Sequence, residues 1–206
     1  MTLKNTADRW GTVSQGFHWL TVLLILGLAI VGLTMGELPK TPKYFWVYTA
    51  HKSTGITVLV LVIARLAWRL YAGRPEPVPG TPTWQERIAG ITHWLLYALI
   101  LAMPLSGWLY DSASGLRPFR WFGLFDVPKL SPPDESLRNL AHDVHEWGFW
   151  VLVALVCMHA GAAFYHHFFQ RDATLLRMLP RRSPRPVDTA PAIPIETKGE
   201  EYPHVP

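Results

Sequence analysis

The chain has 206 residues, half of them hydrophobic, with ten Trp and nine His. Its mean hydropathy lies just above zero, too low for a chain that is all membrane but compatible with greasy segments averaged against a polar tail. The formal charge of +4 is spread along the chain with no separate basic domain, which gives no ground for a nucleic-acid partner.

Residues 1–13 are a short polar lead. The stretch FHWLTVLLILGLAIVGLTMG (17–36) contains no acidic or basic residue and has the length of a bilayer span. It is too long for the apolar part of a signal peptide and no small-residue cleavage site follows, so it predicts a retained first helix. A short loop, 37–47, leads to STGITVLVLVIA (53–64), which mixed residues extend to about 22, enough for a second span. The segment AGRPEPVPGTPTWQE (72–86) is rich in Pro and Gly and cannot be helical throughout. IAGITHWLLYALILAMPLSGWLY (88–110) carries no formal charge and predicts a third span. The longest loop, 111–137, contains RPFRWFGLFDVPKLSPP, whose aromatics suit a membrane surface. WGFWVLVALVCMHAGAAFY (147–165) predicts the fourth span. From Pro180 onward prolines recur and large apolar residues are few, which predicts a disordered tail.

These elements predict an all-α integral membrane four-helix bundle over 14–179, between a cytoplasmic segment 1–13 and a cytoplasmic Pro-rich tail 180–206. A soluble bundle would carry a polar stripe with a period of about 3.6 residues, and residues 19–33 have none. With the N-terminus inside, Lys4, Arg9, Arg65, Arg69, Arg74, Arg87, Arg171, Arg177, Arg181 and Arg182 fall on the inner side. Lys40, Lys43, Lys52, Arg117, Arg120, Lys129 and Arg138 fall outside. The bias places both termini in the cytoplasm.

Histidine placement carries the chemistry. His18 lies near the inner end of the first helix and His51 near the outer end of the second. On the fourth, His145 is outer and His159 is fourteen residues deeper. Fourteen residues advance a helix by about 21 Å and turn it by about 1400°, roughly 40° short of four full turns. His145 and His159 therefore face nearly the same way at two depths. His18 pairs with His159 on the inner side and His51 with His145 on the outer side. Two imidazoles facing across a bundle core are what a six-coordinate haem needs, and iron binding offsets the cost of hiding imidazole in lipid. The one cysteine, Cys157, belongs to no CxxCH motif, so the haem is not the covalently attached c type; Cys157 reads as a small buried apolar residue.

Gly55 and Gly148, one turn from His51 and His145, leave room for porphyrin, or simply let helices approach. Arg65, Arg69 and Lys52 are placed to meet propionates, or to snorkel to headgroups. His142, one turn before His145, is an alternative ligand. His93 has no depth-matched partner and reads as a polar contact or part of a quinone pocket. His166 and His167 read as solvated at the inner surface, and His204 lies in the tail. No acidic residue occupies a span interior, which disfavours metal transport.

The pieces FHWL, AHKSTG, HEWGFW, MHAGAAFYHHFF and DATLLRMLPRR, with the arginines of ARLAWRLY, resemble the bacterial di-haem cytochrome b561 family over about residues 8–182. The resemblance implies a four-helix protein of the bacterial cytoplasmic (inner) membrane. It would hold two non-covalent b haems on His18, His51, His145 and His159 and exchange electrons with ubiquinone. Superoxide or another outer-side species would be the donor, and lipids, quinone and a redox partner protein the partners. Two other readings stay open at this point. One is a haem-bearing membrane anchor of a larger dehydrogenase or hydrogenase. The other is a haem-free sensor or transporter using histidines for pH or metal response.

Overall fold

The computed structural model describes residues 2–39 and 41–180. Four helices dominate: α1 (Thr12–Met35), α2 (Phe45–Ala72), α3 (Thr83–Ala113) and α4 (Glu135–Tyr165). Each is long and apolar enough to cross a membrane. Leu23, Ile30 and Val60 point outward with more than 60% of their surface uncovered, as a lipid-facing helix requires and a water-facing one would not tolerate in such density.

Local chemistry sets the ends. Before α1 the chain doubles back so closely that a Cβ on Gly11 would sit 2.4 Å from the Leu3 carbonyl oxygen, which leaves room only for glycine. Asn5 then accepts from the Gly11 N–H at 2.9 Å and from the Ser14 hydroxyl at 2.7 Å, fixing the first turn. Gly73 stops α2 at φ 71°, a left-handed conformation open to glycine. Asp134 caps α4 by accepting the Leu137 N–H at 2.9 Å, worth about 1 kcal/mol.

The helices pack in chain order, α1 on α2, α2 on α3 and α3 on α4. Val58, Val62 and Tyr97 centre the apolar core, with Leu24, Ile25 and Leu28 of α1 packed against them. That core belongs to α1, α2 and α3. Among the described residues, no Cα of α4 comes within 8 Å of a Cα of α1 or α2. Backbone packing therefore leaves a gap between α4 and the first two helices that side chains bridge.

The structure adds detail that apolar runs could not show. Helix α4 begins twelve residues before the apolar run, and its first turns carry the half-buried Arg138 and the exposed Asp143 and Glu146. The third loop contains a small antiparallel hairpin, β1 (Arg120–Trp121) paired with β2 (Phe125–Asp126), a departure from purely helical structure. Trp121 ties it to α2 through its indole N–H, 3.2 Å from both the Ser53 carbonyl and the Thr57 hydroxyl. Past α4, His166–Gln170 form one wide π-helical turn and Arg171 takes φ 54°, which reverses the chain. Asp172 seals the reversal, accepting from the Thr174 N–H at 2.7 Å and facing the His166 ring. Partial burial disfavours the Asp172 carboxylate, but these partners outweigh it and hold its pKa below the ordinary carboxylate value. The tail read from sequence lies outside the described residues apart from Pro180.

Candidate functional site

The four sequence-selected histidines meet in two pairs across the gap. At the outer level the rings of His51 on α2 and His145 on α4 have centroids 6.4 Å apart, inclined at 71°. At the inner level His18 on α1 and His159 on α4 are also 6.4 Å apart, inclined at 73°.

Each outer ring has a defined setting. His145 Nδ1 lies 2.9 Å from the Met103 carbonyl and 3.1 Å from the Ser106 hydroxyl. A carbonyl only accepts, so Nδ1 carries the proton and Nε2 keeps its lone pair. The Nδ1 of His51 is buried with no hydrogen-bond partner. Glycines back both rings: a Cβ on Gly32 would lie 3.4 Å from His51 Cε1, and one on Gly107 would lie 3.1 Å from His145 Cε1. Beside this level the Lys52 ammonium donates to the Asp111 carboxylate, whose residue is 4% exposed. Lys52 thus has a protein counter-ion on α3.

The inner level is more polar. Arg65 donates to His18 Nδ1 at 3.1 Å and lies over the Tyr97 ring at 5.4 Å. Arg69 lies 5.6 to 6.0 Å from the rings of Tyr97, Trp94 and Trp10. His93 of α3, read from sequence as lacking a partner at its depth, stands 5.2 Å from the His159 ring. A third helix thus reaches the inner level, which pairing the spans two at a time by depth does not show.

Viewed together, the contacts reveal one spacing in every helix. His18 and Gly32, His51 and Arg65, His93 and Gly107, His145 and His159 are each fourteen residues apart. Each helix therefore presents one position to each level on nearly one face. The inner level receives His18, Arg65, His93 and His159; the outer receives Gly32, His51, Gly107 and His145.

The remaining sequence candidates have varied surroundings. His142 is exposed, 3.5 Å from Asp143 and 3.8 Å from Glu146. Nothing would meet a Cβ on Gly55 within 4 Å, while one on Gly148 would sit 3.0 Å from the Met103 sulfur. His166 faces Asp172, and the His167 ring packs on Phe168 at 4.9 Å. Cys157, expected to be buried, is exposed on α4: the run around it is apolar on every face, so sequence could not tell the lipid side from the core side.

The residues fit a haem on two counts. Metal–imidazole nitrogen bonds are about 2 Å long. A five-membered ring with bonds of about 1.35 Å has its centre about 1.15 Å from each atom, so two imidazoles on opposite sides of one metal have centroids about 6.3 Å apart. Both pairs match that span. Secondly, no group of three or more His, Cys, Asp or Glu side chains among the described residues could hold a metal ion. One facing imidazole pair at each level, with His93 as a third ring at the inner one, suits a metal that brings its own equatorial ring of nitrogens.

The outer ion pair gives a first expected result. Asp111→Ala leaves the Lys52 ammonium without its carboxylate. Lys52 keeps 32% of its side-chain surface and can turn to water, so the loss is discounted to about 1–3 kcal/mol. Thermal unfolding in detergent should show it, with Asp111→Asn losing less.

Comparison with known proteins gives the family. The prokaryotic cytochrome b561 profile matches residues 9–181. Cytochrome b561 homolog 2 of Escherichia coli (strain K12) is 35% identical over 188 residues, 89% of this chain and 97% of that protein. Cytochrome b561 homolog 1 of the same organism is 35% identical over 176 residues, covering 85% and 99%. "Probable superoxide oxidase CybB" of Yersinia pestis is 29% identical over 178 residues, covering 84% and 97%. A match across nearly the whole described bundle, with four membrane-length helices carrying paired histidines, makes this chain a member of the prokaryotic cytochrome b561 family, a family of bacterial membrane b-type haem proteins of electron transfer.

Proposed function

We propose that this protein carries electrons across the bacterial inner membrane through two b-type haems, one held by His18 and His159 and the other by His51 and His145, and exchanges them with the quinone pool. Both termini are cytoplasmic in this reading. The observation that carries it is the pair of 6.4 Å ring spacings across a gap that no helix backbone closes. Haem iron supplies one-electron chemistry by passing between ferric and ferrous states.

The chain's own residues do the rest. Met103 and Ser106 hold the His145 tautomer that leaves Nε2 available. Arg65 now donates to His18 Nδ1, which puts that ring's proton on Nε2. Were His18 to hold iron through Nε2, its ring proton would sit on Nδ1 and Arg65 would be free for an anionic acceptor such as a propionate. Arg69 and Lys52 are further cations for such groups, Lys52 in competition with Asp111. The lipid-facing helices hold the sites in a medium of low dielectric and keep water away. For quinone, the inner level offers N–H donors from Arg69 and His93 next to Trp94, which is 55% exposed to the lipid side. Superoxide as outer-side donor is supported by the name of the Yersinia relative.

A reduced-minus-oxidised spectrum with haem quantitation tests the reading. The purified protein should hold about two b haems per chain with bis-imidazole spectra, and added ubiquinone should reoxidise them. A well-folded, colourless preparation from haem-replete cells would refute the assignment.

A further inference from the structure

After the reversal at Arg171, residues 172–179 run back across the inner end of α1. Three successive carbonyls of this segment accept from three side chains near the start of α1. The Arg177 carbonyl accepts from Gln15 Nε2 at 3.3 Å, the Met178 carbonyl from Trp19 Nε1 at 3.0 Å, and the Leu179 carbonyl from the Arg9 guanidinium. The segment is anchored again where Arg177 donates to the Glu76 carbonyl at 2.6 Å, and Glu76 N–H donates to the Ala7 carbonyl at 2.8 Å. Gln15 is 5% exposed and also donates to the Trp10 carbonyl at 3.0 Å.

His18 lies between two of these donors. Gln15 precedes it by about one turn and Trp19 follows it directly, its indole meeting the His18 ring edge-on at 5.1 Å. The opposing His159 belongs to α4, which continues into the same segment. Since α1 and α4 share no close backbone approach, helix packing alone does not set the separation of these two rings.

Resting on the reading of His18 and His159 as an iron-binding pair, we infer that residues 172–179 form a clasp that fixes the spacing of α1 and α4 at the inner level, with Gln15 and Trp19 as positioning residues for His18. The acceptors are main-chain carbonyls. The clasp therefore depends on its donors and on the course of the chain, and not on the side chain of Met178.

Gadolinium spin labels on the full-length protein in nanodiscs read the gap without reference to a cofactor. One label sits on Cys157, exposed on α4 and the chain's one cysteine; the other on Leu23→Cys, exposed on α1. The distance distribution should be narrow in this background and with Met178→Leu. It should broaden with Trp19→Phe and broaden further with Gln15→Leu added. In the haem-loaded protein the double substitution should shift or abolish the inner haem's α-band, costing up to about half of the bound haem, while Met178→Leu keeps it all. An unchanged distribution in the double variant overturns the clasp. A broadened distribution with an unaltered inner haem overturns its role in positioning His18. A parent protein without haem would defeat the iron-binding reading, and the label distances would still decide the clasp.

Discussion

His159→Ala should lower haem content from about two to about one per chain and leave the spectrum of the outer site intact. The reason is geometric. His159 supplies the α4 side of the inner pair and does not touch the outer rings. His18→Ala should yield the same one-haem species, and His145→Ala or His51→Ala the complementary one. Haemochrome quantitation with low-temperature α-band spectra separates the outcomes. His93 sharpens the experiment, because its ring lies only 5.2 Å from His159. Full retention of both haems in His159→Ala, lost again on adding His93→Ala, would transfer the ligand role to α3 and overturn the inner pairing.

Gly107→Leu should empty the outer site. A Cβ there would already stand 3.1 Å from His145 Cε1 and 3.3 Å from Nδ1. The ring cannot easily give way, being held to the Met103 carbonyl and the Ser106 hydroxyl. Overpacking of this kind costs about 1–3 kcal/mol, and turning the imidazole relieves it. The expected result is about one haem per chain, with the inner spectrum unchanged and Gly107→Ala affected less. Gly27→Ala is the control, since nothing would meet its Cβ within 4 Å. Equal haem content in Gly107→Leu and the parent would show that the ring does not need its present position.

The bundle and the histidine pairing were legible because both rest on one-dimensional signals. Uncharged runs of bilayer length give the spans, and a fourteen-residue interval on α4 gives two depths on one face. The same interval could have located Gly32 from His18 and Gly107 from His93. Gly32 and Gly107 carry no side chain to mark them as members of such a pair, so the interval is plain only where both ends are histidines. Asp111 was illegible for another reason: it falls one residue past the apolar run, where a carboxylate looks solvated. Only the tertiary contact with Lys52 explains its burial. The hairpin at Arg120–Asp126 and the return of residues 172–179 are set by contacts with α2 and α1, which no local pattern announces.

The order of packing has a consequence for biosynthesis. A ribosome delivers α1, α2 and α3, with their shared apolar core, before the helix that supplies one member of both imidazole couples. Before α4 follows, His18 and His51 lack the rings that face them in the finished bundle. Residues 172–179, which follow α4 in the chain, then lie across the inner end of α1, so the first and fourth helices are tied together only after both histidine couples can close.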